Sequence, residues 1–422
     1  MEDVASFRAR ARHWVSGNLP AQHGDPEELP MEQAKALQAA IFDAGFAGIA
    51  VPVEYGGAGL TLEHQQAWAE EVAGFQVPAK LYPSIAILGM TLLDHGCEAA
   101  KARHLPRILR GDEVWIQLLS EPSGGSDLAG VLTRATRDGE SWLITGAKTW
   151  SSLADAADYG LCLARSDWDV PKHRGLSMFA LPLGAPGVTI EPIVSSRGGP
   201  AHFFQEYFDE VRLPAEYLLG DENEGWSVAH TLLVHERNAI AGIGHGLGLG
   251  GGGEGGSETR SGVGDLLSVA RSSGAIADPE SQRLIASAYV DETVRSQLGE
   301  RVATGLRTGA LRGNWGSLVK LGLGVDTLRR AEIAVALARA DGVVWPASDS
   351  AEPGAGLSDV GLSWLTARGI SIGGGTNEIQ RNTISERLLG MPREPAPDRD
   401  VPFGEMMRGR APRRAPTDER EE

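Results

Sequence analysis

The sequence predicts an α+β protein in three consecutive regions. These are a helical N-terminal domain over residues 1–115, a central β-barrel or sandwich domain over 116–220 and a helical bundle over 221–392, followed by a disordered tail over 393–422. Three observations predict this order. Apolar residues recur at helical spacing up to about residue 115. Short runs rich in β-formers, separated by turn signals, follow to about residue 214. The helical period then returns at Asn223 and holds to Leu389.

In the first region Phe7, Ala11, Trp14 and Val15 share one face. Residues 31–44, 62–73, 82–93 and 98–109 continue the helical period, with the glycine- and proline-broken GFAGIAVPVEYGGAGL as a connector. His64, His95 and His104 have no ligand spacing and read as surface or core histidines. In the second region WIQLLS, SWLITG, YGLCLARS, LSMFALPL and GVTIEPIV read as strands, parted by SGGSD, RDGE, GAKT, SDWD and GAPG. In the third, residues 278–304, 317–340 and 357–370 read as long helices. Between them, residues 242–256 are GIGHGLGLGGGGEGG. A formal GxGxxG at Gly246, Gly248 and Gly251 carries no dinucleotide signal, because no strand precedes it. The run reads as a frayed helix end passing into a flexible loop.

A net charge of −17 argues against nucleic-acid or anionic-membrane partners. The two cysteines, Cys97 and Cys162, lie in apolar contexts and read as reduced core residues. No apolar run reaches the roughly 18 residues of a membrane span, and the start lacks a signal-peptide pattern. A cytoplasmic location is the expectation.

The stretch WSVAHTLLVHERNAI carries the sharpest candidate. Trp226, Ala229, Leu233, Glu236 and Ile240 form an apolar helical stripe with one carboxylate in it. Its helical neighbours Leu232, Leu233, Ala239 and Ile240 are aliphatic, so no base pairs with it along the helix. Burying an unpaired carboxylate raises its pKa, which suits proton abstraction near neutrality. The alternative is a glutamate at the stripe's rim, reaching solvent or an arginine of another helix. Three further stretches offer polar atoms to a ligand. SEPSGGSDLAG (120–130) is either a hydrogen-bonding loop or an ordinary turn. In GAKTWSS (146–152), Trp150 either fills the core or offers a flat face to an aromatic ring. GGGTNEIQRNTISERLLG (373–390) starts a helix near Thr376, whose N-terminus suits a phosphate or is simply capped.

Together QLLSEPSGGSDLAG, ITGAKTWSS, FDEVRLP, NEGW and GGGTNEIQR resemble the acyl-CoA dehydrogenase family over residues 7–393. The wider pattern, including DPESQRLIASAYV and GNWGSLVKLGLG, is most similar to bacterial members of fatty-acid, sterol or related acyl-CoA catabolism. The resemblance implies a helical domain, a β domain and a four-helix bundle, with FAD between the last two. Carried over by position, Gln117 and Ser120 contact the flavin, Trp150 stacks near its ring and Ser152 lies near its N5 edge. Thr376 and Glu378 approach FAD from the helix start. Ser126, Arg237 and Gly374 belong to the acyl-CoA side. Many members place a catalytic glutamate where this chain has Gly374. Isovaleryl-type members place it on the first bundle helix directly before an arginine, as in Glu236-Arg237. The implied reaction is α,β-dehydrogenation of an acyl-CoA. Glu236 takes the α-proton, flavin N5 takes the β-hydride, and the Gly374 N–H helps polarise the thioester oxygen.

An electron-transfer flavoprotein is the implied electron acceptor. A homo-oligomer (dimer or tetramer) or a heterotetramer with a sister subunit is the implied assembly. The chain departs from the family where most relatives carry Arg-x-x-Phe-Gly, whose Arg reaches the FAD pyrophosphate. Here SETRSGVG stands instead, with Arg260 as the substitute. That departure keeps open a partner-subunit role, and a related flavoenzyme of nitroalkane oxidase or monooxygenase type is a third reading.

Overall fold

The computed structural model describes residues 2–22, 29–195, 201–240, 263–311, 313–343, 359–396 and 398–410. The glycine run with its formal GxGxxG, and Arg260, lie outside them.

The N-terminal region holds α1 (Val4–Asn18), α2 (Met31–Asp43), α3 (Leu62–Glu71), α4 (Met90–His95) and α5 (Glu98–Arg110). Asp3 caps α1 by accepting from the Ala5 and Ser6 amides. Phe7, Ala11 and Val15, four residues apart, then form its buried face. The single helix expected over 82–93 is a π-helical turn, Ser84–Gly89, running into α4. Cys97, expected in the core, is exposed at the head of α5.

The central region forms one mixed sheet. Its strands are β1 (Trp115–Leu118), β2 (Arg134–Asp138), β3 (Ser141–Ser152), β4 (Tyr159–Arg165), β5 (Leu176–Pro182), β6 (Val188–Ile193), β7 (Phe203–Pro214) and β8 (Leu218–Leu219). The order is β6-β7-β3-β2-β4-β5-β8, with β1 pairing parallel to β4. β4 and β5 are buried almost throughout because they are covered on both faces. Leu161, Leu163, Leu176 and Met178 face the helices, while Cys162, Ala164, Phe179 and Leu181 face the β core. β2 and β7 escape a search for apolar runs because β2 buries only Ala135 and exposed, often charged residues are interspersed with the buried ones of β7.

The C-terminal region comprises α6 (Gly225–Ile240), α7 (Val263–Ser272), α8 (Pro279–Arg307), α9 (Gly316–Ala338), α10 (Asp359–Ile370), α11 (Asn377–Thr383) and α12 (Phe403–Arg410). α9 is its axis and contacts α6, α7, α8, α10 and α11. The tail expected to be disordered folds in part. Phe403 is buried against Trp168, and its ring faces the Arg165 guanidinium at 3.7 Å. The Phe403 and Gly404 amides donate to Val170 and Trp168 carbonyls. One aromatic residue with a slot to fill thus orders a segment of otherwise polar composition.

Candidate active site

The first bundle helix is seated directly on the β domain. A Cβ at Gly225 would lie 2.5 Å from the Ser177 carbonyl carbon, so only glycine lets α6 start against β5. The preceding Asn223 donates its amide to Ser177 Oγ at 2.9 Å and accepts from Ser166 Oγ at 2.7 Å. From this anchor the buried face runs through Val228, Ala229 and Leu232. It is displaced by one residue from the expected stripe, since Trp226 and Leu233 are only half-buried. Glu236, one turn beyond Leu232, stays on it.

Glu236 sits where α6 faces β1. Gln117 Nε2 donates to its Oε1 at 3.5 Å, a long contact. Protein encloses the carboxyl closely enough that burial raises its pKa, and the Gln117 hydrogen bond, Arg237 and Lys320 offset this only in part. Its surface is not fully sealed from solvent. That combination describes an acid largely enclosed by protein that keeps some access to solvent. Arg237 is also half-buried, and burial lowers its pKa.

One face of α9 packs against α6. Gly316, Lys320 and Gly324 are spaced four apart and stand in one row. A Cβ at Gly316 would touch Arg237 of α6 at 3.4 Å, and one at Gly324 would lie 2.3 Å from Asn377 Oδ1. Between them the buried Lys320 donates to the Ile370 carbonyl at the end of α10 at 2.5 Å, while burial lowers its pKa. The same helix therefore meets α6 and the Ser371–Asn377 turn. In that turn Gly374 and Gly375 have φ of +67° and +87°, a backbone glycine alone adopts easily. The buried Gln380 donates to both their carbonyls, at 2.9 and 3.2 Å. Among the described residues the Gly374 N–H has no internal acceptor.

On the β domain, a buried ion pair organises the loop after β1. Lys148 Nζ lies 2.9 Å from Glu121 Oε1 and also donates to the Leu119 carbonyl at 3.0 Å. Glu121 further accepts from the Leu132 and Thr133 amides at 2.6 and 2.9 Å. Arg165 holds the loop's other end through the Ala129 and Val131 carbonyls. Sequence reading passed over Glu121, Lys148 and Arg165. The signal available was a charged residue at an inward position of a strand, as in GAKTW and CLARS. Ser120 lies in this loop, and its carbonyl accepts the Thr149 amide at 3.0 Å. Trp150 projects outward, 60% exposed, with Ser152 two residues on. Ser126 lies exposed in the same loop.

Three family models match the chain in succession: the acyl-CoA dehydrogenase N-terminal domain over residues 1–112, the middle domain over 117–210 and the C-terminal domain over 223–389. The chain belongs to the acyl-CoA dehydrogenase family. This is a family of flavoprotein oxidoreductases. Acyl-CoA dehydrogenase IpdE1 of Mycobacterium tuberculosis is 33% identical over 403 residues, covering 93% of this chain and 99% of the relative. FadE34 of the same organism is 33% identical over 90% of this chain and 49% of its own length. Among solved structures, the "Tcur3481-Tcur3483 steroid ACAD" has a TM-score of 0.73 at 29% identity, covering 93% of this chain and 99% of that chain. The M. tuberculosis ChsE4-ChsE5 complex has a TM-score of 0.70 at 24% identity over 93% and 99%, a likeness of fold.

The residues expected to serve an acyl-CoA dehydrogenase fall into groups. Glu236 and Gln117 meet directly. Ser120, Ser126, Trp150 and Ser152 share the loop and strand edge of the β domain. Gly374 and Thr376 share the turn, where Thr376 caps α11 through the Ile379 amide at 3.2 Å. Glu378 instead faces outward and pairs with Arg381 at 3.4 Å. The β-domain group fits a flavin. A projecting indole beside serine hydroxyls and a glycine loop suits a flat ring with polar edges.

Proposed function

We propose that the protein oxidises an acyl-CoA thioester between Cα and Cβ, with Glu236 as the base. FAD, when bound, supplies the hydride acceptor. The observation that carries this reading is Glu236 itself, an enclosed carboxyl whose proton affinity is raised by burial and whose near contact is a neutral amide. Such a group, once ionised, is a stronger base than a solvated glutamate. The Gly374 N–H, on a turn held by Gln380, is available to the thioester oxygen as negative charge develops. Trp150 and Ser152 would orient the ring, Ser120 and Thr376 would supply hydrogen bonds to FAD, and Ser126 and Arg237 would lie on the substrate side. Glu378, exposed and paired with Arg381, would reach a cofactor only after leaving that partner. Electrons leave to an external carrier, for which an electron-transfer flavoprotein is the expected partner. We place this reaction in the cytoplasm.

The test is anaerobic titration of the purified flavoprotein with a panel of acyl-CoA thioesters, including steroid-derived ones, as the name of the 29%-identical structure suggests. Bleaching by at least one thioester, lost in Glu236→Gln with flavin retained, is the expected result. Bleaching of that variant at the wild-type rate removes Glu236 from the role. A second reading has support from the same relative, whose name joins two proteins. In it the chain works with a sister subunit, and a protein that is colourless alone and gains flavin only with that subunit would establish it.

A further inference from the structure

Trp150 stands at a break in the β3–β7 ladder. The register shifts between Thr149, opposite Gln205, and Ser151, opposite Phe204, and leaves Trp150 without a partner. Its φ is +69°, and that of Leu153 is +62°. Bulky side chains rarely adopt this region and persist there only where the surroundings enforce it. On one side the enforcement is the Thr149 amide held by Ser120. On the other, Ser151 Oγ donates a hydrogen bond to the carboxyl of Glu206 on β7. Ser151 is buried and Glu206 is wholly so.

We propose that Glu206, acting through Ser151, is the positioning residue that keeps the Trp150 bulge projecting. Its consequence for cofactor binding rests on the reading of Trp150 as the flavin platform; the anchoring itself does not. Among the described residues no cation lies within ion-pair distance of Glu206, and Lys148 acts on it only from further off. Lys148 is its cross-strand neighbour, yet the ammonium is already bound to Glu121 and to the Leu119 carbonyl. Cys162 on β4 also senses these charges, but burial pushes its thiol up to about 12, so it stays neutral. On β6 the residue opposite Glu206 is the apolar Ile190. Glu206 Oε2 has no hydrogen-bond partner among the described residues, which leaves an oxygen free to carry a proton. Burial correspondingly raises the Glu206 pKa to about 7. Above that pH the buried carboxylate has only the Ser151 hydroxyl to set against its desolvation, so the strand segment around it is expected to open toward water more often.

The experiment is hydrogen exchange by mass spectrometry on the full chain at about pH 6 and about pH 8.5, corrected for intrinsic exchange. FAD affinity is measured in parallel by fluorescence. In the wild type, protection of residues 149–153 falls by roughly fivefold or more between the two pH values, and the FAD dissociation constant rises with it. Glu206→Gln, isosteric and neutral, holds both constant. Ser151→Ala is poorly protected at both pH values. A Glu206→Gln variant that tracks the wild type, or a Ser151→Ala variant as protected as the wild type at low pH, overturns the proposal. If the exchange pattern appears but FAD does not bind, the reading of Trp150 as a flavin platform in this chain alone fails while the anchor stands.

Discussion

Lys148 and Glu121 form an ion pair 2.9 Å long in which the lysine side chain is wholly shielded from water and the glutamate nearly so. Each also holds backbone: Lys148 the Leu119 carbonyl, Glu121 the Leu132 and Thr133 amides. Removing one member of such a pair strands the other charge. Lys148→Met is therefore expected to cost about 3–5 kcal/mol in denaturant unfolding. An unchanged unfolding midpoint would show the pair to be dispensable.

Glu206 gives a pH prediction of definite sign. Its pKa is about 7 in the folded protein against 4.5 as the reference value, so the folded state holds the proton more tightly. Stability from this group is full below the reference pKa and is lost as pH rises through about 7. Glu206→Gln should match the wild type at acid pH and exceed it by about 3 kcal/mol at about pH 8. Equal stabilities at alkaline pH would contradict this.

Glu236 must be ionised to accept a proton, and burial raises its pKa. The acid limb of kcat/KM is expected above the ordinary glutamate range, with activity rising as pH increases through it. A limb at the ordinary glutamate value would mean that a solvated group controls the rate.

Two glycine substitutions separate close contact from mere helix occupancy. Gly225→Ala puts a methyl against the Ser177 backbone and should cost about 1–3 kcal/mol while lowering turnover, because α6 carries Glu236. Gly299→Ala, within α8 and with nothing within 4 Å, should gain about 0.5–1 kcal/mol. Thermal unfolding of both variants checks the pair.

Phe403→Ala should cost about 3 kcal/mol, since the ring is buried over Arg165 and Trp168. Urea unfolding measures it, and a change within error would show that α12 is not bound in solution.

Much of the fold was legible because periodicity changes twice along the chain. The expected helix over 278–304 appears as Pro279–Arg307, and the Thr376 cap appears as drawn. β2 and β7 were harder to see, since β2 buries only Ala135 and β7 intersperses its buried residues with charged and exposed ones. α12 was hidden because a single phenylalanine fixes it. Within the site, the enclosure of Glu236 could be anticipated from aliphatic neighbours on its own helix. Its contact with Gln117, 119 positions away, could not. Nor could Glu206, whose setting depends on which lysine bond a neighbouring strand has already claimed.

The row Gly316, Lys320, Gly324 has a consequence for how this protein can change. Eight residues of helix span about 12 Å, so α9 works as a fixed ruler between the acid-bearing helix and the glycine turn. Sliding or twisting it displaces both ends at once. A substitution that loosens the packing at one end is therefore felt at the other, and new specificities should arise through paired replacements along this ruler more readily than through single ones.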